Sequence, residues 1–140
     1  IFINQSEEVE TVVEKLNYHG LAAAGIYGSS RKLERQKALE NFRSGKGRLL
    51  VASDLAARGL DIKDITHVFN LDLPEDPQLY LHRAGRTGRA GAEGMAVSIV
   101  TDREVAYLHR LEHSFGIRIL GKDMYQGKII DDRRRAKRKR

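Results

Sequence analysis

Arg83, Arg86 and Arg89 recur at a spacing of three and alternate with Gly85, Gly88 and Gly91. A guanidinium makes forked, charge-assisted bonds to phosphate oxygens, and glycine lets a backbone approach a ligand closely, so the pattern suits recognition of a polyphosphate. The same arginines could instead pair with surface carboxylates, which would leave the segment a structural role only. Gly85-Arg86-Thr87-Gly88 also fits the GxxG loop of KH domains, although the surrounding strand order does not suit that fold. What is missing narrows the chemistry. Gly45-Lys46 is followed by Gly47, and Glu40 stands where the first glycine of a phosphate-cradling GxxxxGK[ST] loop belongs. Asp54 follows Ser53 without a second acid, so no carboxylate pair is in place to hold magnesium and position a water. Arginine donors without a nucleotide cradle are expected where a second domain holds the nucleotide and this one reaches across a cleft.

In open α/β sheets such residues collect in the loops beyond the carboxyl ends of strands. Two stretches qualify: SDLAARGLDI at residues 53–62, and YLHRAGRTGRAG at residues 80–91. Around them, short apolar runs alternate about five times with helical patterns, the signature of a parallel α/β sheet. Residues 1–4 read as a strand. Ser6 is placed to cap a helix with Glu7 and Glu8 in its first turn and Val9, Val12, Val13 and Leu16 on one face, ended by Gly20. A strand over 21–27 is followed by a helix from about Arg31 that turns Ala38, Leu39 and Phe42 inward and stops at Gly45. Residues 48–52 are apolar enough for a central strand. Another strand, 66–72, leads to a helix from Pro77, the glycine-rich segment, and a strand over 94–100. Thr101 and Glu104 form a capping box for a helix carrying Val105, Leu108, Leu111 and Phe115, and residues 117–120 add an edge strand.

The bulk properties agree with one domain. The chain has 140 residues, 41% of them apolar, with no apolar run long enough for a transmembrane helix and no charged leader before an apolar stretch. No cysteine is present, which rules out disulfides and thiolate metal sites, and the five histidines lack zinc-like spacing, so no metal site is expected. His19, His67, His109 and His113 read as surface residues, and Phe42, Tyr107 and Phe115 as core. Lys46, Arg48 and Lys63 fit either phosphate contacts or solvated charge. The net charge of +6 gathers at the end: residues 131–140 hold seven of the 25 basic and two of the 19 acidic residues. Such a tail is either a solvated disordered end or an RNA contact. The chain opens directly on an apolar strand, which reads as a piece of something longer.

On these residues the chain resembles the second RecA-like domain of DEAD-box RNA helicases. SDLAARGLDI at 53–62 resembles helicase motif V, and HRAGRTGR at 82–89 resembles motif VI; IFINQ at 1–5 resembles motif IV, and NLDLP at 70–74 the segment between motifs V and VI. The likeness runs from residue 1 to about 120. It implies an α/β fold, a RecA-like three-layer sandwich whose mostly parallel central sheet is flanked by helices. It also implies a domain over 1–120 with an extension and basic tail over 121–140.

The resemblance implies roles as well. Arg86 and Arg89 match arginine fingers that reach the γ-phosphate of ATP, bound with Mg2+ mainly by an N-terminal RecA-like domain. Asp61 matches the acceptor of a ribose bond, Gly59 lies where backbone meets nucleotide, and His82 couples motif VI to the acidic motif of the other domain. Arg58 and Arg83 fit interdomain or internal pairing. RNA contact, through the sugar-phosphate backbone and without sequence preference, falls to Gly28, Lys32, Arg35 and Ser53. Three positions depart from the family: Lys32 replaces glutamine, Ser53 replaces threonine, and Gln5 stands where threonine is usual. Lys32 still suits phosphate and Ser53 keeps a hydroxyl, whereas Gln5 puts the motif IV contact in doubt.

The expected function is therefore an ATP-dependent RNA helicase acting in the cytoplasm, with no membrane partner, and with this domain inactive by itself. Two other readings stay open: a non-catalytic RNA-binding module that relies on its basic tail, and a DNA-translocating relative, against which the ARGLDI and HRAGRTGR strings speak.

Overall fold

The structure is a computed structural model and describes residues 1–132. Most of the basic tail lies outside the described residues. Contacts divide the chain into two compact units, Ile1–Val100 and a second that starts at Thr101, earlier than the boundary near residue 120 that the sequence suggests.

The first unit is built on a parallel sheet. Strands β1 (Ala23–Ile26) and β2 (Leu49–Ala52) pair in parallel, as do β3 (His67–Asn70) and β4 (Met95–Ser98). The chain's opening segment joins the two pairs. Phe2 bridges Ala52 on one side and Asn70 on the other. Its ladder includes Phe2 N–H to Phe69 O at 2.7 Å, Ile3 N–H to Ala52 O at 3.2 Å and Leu71 N–H to Phe2 O at 3.0 Å. The rows therefore run β1, β2, Phe2, β3, β4. Their inward residues are Val, Ile, Leu, Phe and Ala, as expected of strands covered on both faces.

Successive residues of a strand face opposite sides, and that alternation sorts the core into two layers. Ile3 and Val51 pack with Val9 and Val13 of helix α1 (Val9–Tyr18). Phe2, Ile26, Ala52 and Val68 form the other layer with Ala56 and Ala57 of a one-turn helix α3 (Asp54–Ala57), joined by Ala38 and Leu39 of α2 (Lys32–Arg43). The result is an α/β sandwich with helices on both faces of a parallel sheet. Helix α4 (Pro77–Ala84) follows β3, with Pro77 at its first position and Asp76 accepting the Gln78 N–H at 2.8 Å.

Two local expectations change. Ser6 does not cap α1; a 3-10 turn over Ser6–Glu8 precedes the helix, and the Ser6 hydroxyl donates to Ser53 Oγ at 2.8 Å. No strand forms over 117–120. In the second unit, helix α5 (Val105–Phe115) ends at Gly116, whose φ of 61° is a left-handed cap, and is followed by an antiparallel hairpin of β5 (Lys122–Tyr125) and β6 (Lys128–Asp131). Gln126 and Gly127, at φ 48° and 73°, make its two-residue turn, the geometry that matches strand twist. Ahead of α5, Glu104 accepts both the N–H and the hydroxyl of Thr101 at 2.7 Å, one half of the expected capping box.

Candidate functional site

One part of the site is assembled at the carboxyl ends of the strands. Where β2 stops, Ser53 turns the chain into α3, and its Oγ accepts the Ala56 N–H at 3.4 Å together with the Ser6 hydroxyl. Ser53 is 2% exposed, so the hydroxyl that the resemblance assigns to RNA is used inside the fold.

Arg83, near the end of α4, lies at the centre of the arrangement and is 1% exposed. Nε and Nη2 form a fork onto Asp54, at 2.8 Å to Oδ1 and 2.6 Å to Oδ2. Nη2 also donates to Asn4 Oδ1 at 2.8 Å, and Nη1 to Asp72 O at 2.8 Å and Asn70 Oδ1 at 3.4 Å. All five guanidinium N–H groups thus have an acceptor, and the Phe2 ring centre lies 5.1 Å from the guanidinium carbon. Burial of a charge on this scale requires such complete pairing. The location has a topological reason. The Phe2 row leads out through α1 to β1 on one side, whereas its neighbour β3 leads out through α4 to β4 on the other, and a crevice opens where connections diverge. In this sheet an arginine from α4 fills that crevice. The sequence pointed to Arg83 but not to Asn4, Asn70 and Asp72; their place at or just beyond strand ends was the available signal.

Arg86 and Arg89 fall past the end of α4, outside this buried cluster. Arg86 Nη1 donates to Leu60 O at 2.7 Å. Arg89 Nε donates to Gly85 O at 3.0 Å, and its Nη1 lies 3.4 Å from Asp61 Oδ1, with 53% of the arginine and 70% of the aspartate side chain exposed. The Thr87 hydroxyl donates to Ile65 O. Gly94 makes room for that contact, since a Cβ there would lie 2.2 Å from Thr87 Oγ1 and 2.5 Å from the Gly88 N. Gly59 has φ +76° and open space where a Cβ would stand. The fold therefore brings Gly59, Asp61, Arg86 and Arg89 to one open edge. His82 and Arg58 are exposed, and neither side chain has a hydrogen bond or ion pair with another described residue.

A second group borders the first. Gly28, just after β1, is exposed with nothing near its Cβ position, and Lys32 is exposed in the first turn of α2. Arg35, one turn on, is half-buried and donates to Ala56 O at 3.1 Å, which ties α2 to α3. Beside Gly28, burial and then the carboxylates of Glu10, Glu14 and Glu34 push the Tyr27 hydroxyl above its ordinary pKa. Among the described residues, no three His, Asp or Glu side chains gather as a metal site, and no helix is long and apolar enough to cross a membrane.

These groups can offer arginine donors, one carboxylate and open backbone to a ligand presented from outside; no loop encloses one. The arrangement has known counterparts. Residues 1–91 match the helicase conserved C-terminal domain. The DEAD-box ATP-dependent RNA helicase CshA of Geobacillus kaustophilus is 46% identical over 114 residues, which cover 81% of this chain and 24% of that protein. The DEAD-box ATP-dependent RNA helicase CshC of Bacillus cereus is 38% identical over 139 residues, 99% of this chain and 36% of that protein. The chain thus spans about a quarter to a third of the length of these relatives. Among solved structures, S. cerevisiae Dbp5 L327V bound to RNA and ADP BeF3 superposes with a TM-score of 0.77 at 33% identity, over 84% of this chain and 32% of that one. A DEAD box protein from Methanococcus jannaschii gives 0.76 at 36%, with the same coverage. With a parallel RecA-like sheet, the first motif loop leaving the carboxyl end of β2, the second running from α4 to the start of β4, and these relatives, the chain belongs to the helicase conserved C-terminal domain family, in its DEAD-box branch.

Proposed function

We propose that this chain works as the second RecA-like domain of a two-domain ATP-dependent RNA helicase, closing on MgATP that the first domain holds. The observation that carries the reading is the open edge where Arg86, Arg89 and Asp61 meet with no cradle around them. In this reading Arg86 and Arg89 stabilise charge developing on the γ-phosphate, Asp61 accepts from the ribose, and Gly59 lets backbone approach the nucleotide. ATP with Mg2+ supplies the phosphoryl-transfer chemistry. The bonds to Leu60 O, Gly85 O and Asp61 hold the two guanidiniums at this edge and use one N–H of Arg86 and two of Arg89, which leaves donors for phosphate. His82 and Arg58, both exposed, are left to face the first domain.

RNA is gripped by its sugar-phosphate backbone at Gly28, Lys32 and Arg35, while Ser53 shapes that surface by capping α3. Each ligand bridges both domains and so favours closure. Alone, the chain is inactive and binds RNA weakly. The helicase domain proper is read as residues 1–120, the extension as 121–140, and the cytoplasm as the setting.

RNA-stimulated ATP hydrolysis by the two-domain protein, wild type against Arg86→Ala and Arg89→Ala, tests the reading. Turnover should fall by roughly 10³-fold or more while RNA binding is kept. Unchanged turnover would remove the finger role.

A further inference from the structure

Three arginines converge on the loop that carries Gly59 and Asp61. Arg35 donates to Ala56 O at 3.1 Å, Arg86 to Leu60 O at 2.7 Å, and Arg43 to Asp61 O at 3.0 Å. Two of the three come from one helix. Arg35, Leu39 and Arg43 follow at intervals of four along α2 and so share one side of it. Leu39 packs into the same core layer as Ala56 and Leu60, which seats that side of the helix on the loop. Gly45, at φ +74°, stops the helix just after Arg43. Among the described residues Arg43 has no carboxylate partner, and its one side-chain hydrogen bond goes to the carbonyl of the residue whose side chain faces the ligand edge.

We infer that Arg43 is a positioning residue for the nucleotide edge, and that α2 is the strut that links it to the RNA-facing residues Lys32 and Arg35. The helix gives about 12 Å of rigid rise between Arg35 and Arg43. A load on Lys32 and Arg35 therefore reaches the 56–61 loop at two points, near α3 through Arg35 and at Asp61 through Arg43. Holding the Asp61 carbonyl fixes the backbone from which its carboxylate projects. Arg43 touches neither ligand; it acts through Asp61. The inference rests on the proposed roles of Asp61 and of the Gly28, Lys32 and Arg35 surface.

The test uses the two-domain protein with ATP, a short single-stranded oligouridine and a non-hydrolysable ATP analogue. The affinity of the RNA is measured without and with the analogue, and KM and kcat are measured for ATP at saturating RNA. Arg43→Ala should raise KM for ATP about three- to tenfold, the loss expected for one solvent-exposed hydrogen bond, and lower kcat much less. RNA affinity without nucleotide should stay as in the wild type, while the gain in RNA affinity on adding the analogue should shrink by a similar factor. Arg43→Lys, which can still donate to the Asp61 carbonyl, should restore most of both. Wild-type KM and an undiminished gain in Arg43→Ala would overturn the inference. So would an equal fall in KM-independent turnover and melting temperature in both variants, which marks a residue of general stability. Arg86→Ala is run in the same series. Undiminished turnover there defeats the finger reading, whereas the Arg43 result is read from nucleotide affinity and the RNA gain.

Discussion

Replacing Arg83 by methionine removes the guanidinium and keeps an apolar stem of similar length. The side chain is 1% exposed and its partner Asp54 29%, so the aspartate loses a fork of two bonds in a place that water reaches only in part. Taking one member from a buried ion pair costs about 3–5 kcal/mol. Asn70, with 0% exposure, and the Asp72 carbonyl lose a donor as well, which places Arg83→Met toward the upper end of that range. A domain of this size holds about 5–15 kcal/mol in all, so a large share of its stability is at stake. At about 3–5 °C per kcal/mol, a loss of about 4–5 kcal/mol should lower the melting temperature by roughly 12–25 °C. Arg83→Lys keeps the charge but offers three donors from a point, not five from a planar fork, and should lose about half as much. Denaturant unfolding of the whole chain measures both, and the Asp54→Asn double-mutant cycle should return a coupling of at least about 2 kcal/mol. A loss below about 1 kcal/mol for Arg83→Met would refute the view that this network holds the sheet's crevice closed.

Other outcomes follow from single features. Gly94→Ala drives a Cβ into Thr87 Oγ1 and the Gly88 amide, so it should cost about 2–3 kcal/mol in urea unfolding and release the motif VI loop to faster amide exchange. Gly59→Ala meets no atom within 4 Å but keeps a φ of +76°, so the fold should survive with a loss of about 1 kcal/mol, and a larger loss would mean hidden contacts. Bonds from the Thr101 N–H and hydroxyl hold Glu104 below the ordinary carboxylate pKa of 4.5, so its support for the start of α5 is complete above that value and fades as pH falls through the lowered one. Amide shifts at the start of α5, followed from pH 6 to pH 3, should show this loss, and Thr101→Ala should flatten the profile.

The layered sheet and the two motif loops were legible because their signals are local. Apolar runs bounded by Gly20, Gly45 and Pro74 mark strands and helices, and the spacing of Arg83, Arg86 and Arg89 marks the loop. The partners of those arginines were not legible, since Asn4, Asp54, Asn70 and Asp72 meet only when three rows are laid side by side. Ser53 shows the same limit. Its hydroxyl suits a ligand by chemistry, yet burial and the Ser6 contact direct it inward. The hairpin of β5 and β6 was overlooked because its strands are charged and exposed, and only the Gln126-Gly127 turn announced it.

The opening segment gives the sheet its middle row, and that has a bearing on how the domain is made. Ile3 and Phe2 find their ladder partners at Ala52, Phe69 and Leu71, so this segment, made before them, must wait for residues far behind it. Until β3 is made, the Phe2 row can pair only with β2, which leaves its other flank unzipped. Non-local closure of this kind is slow and leaves strand edges open to other chains. A nascent domain halted before residue 70 should therefore be sticky, and its release into a folded form should coincide with the synthesis of β3.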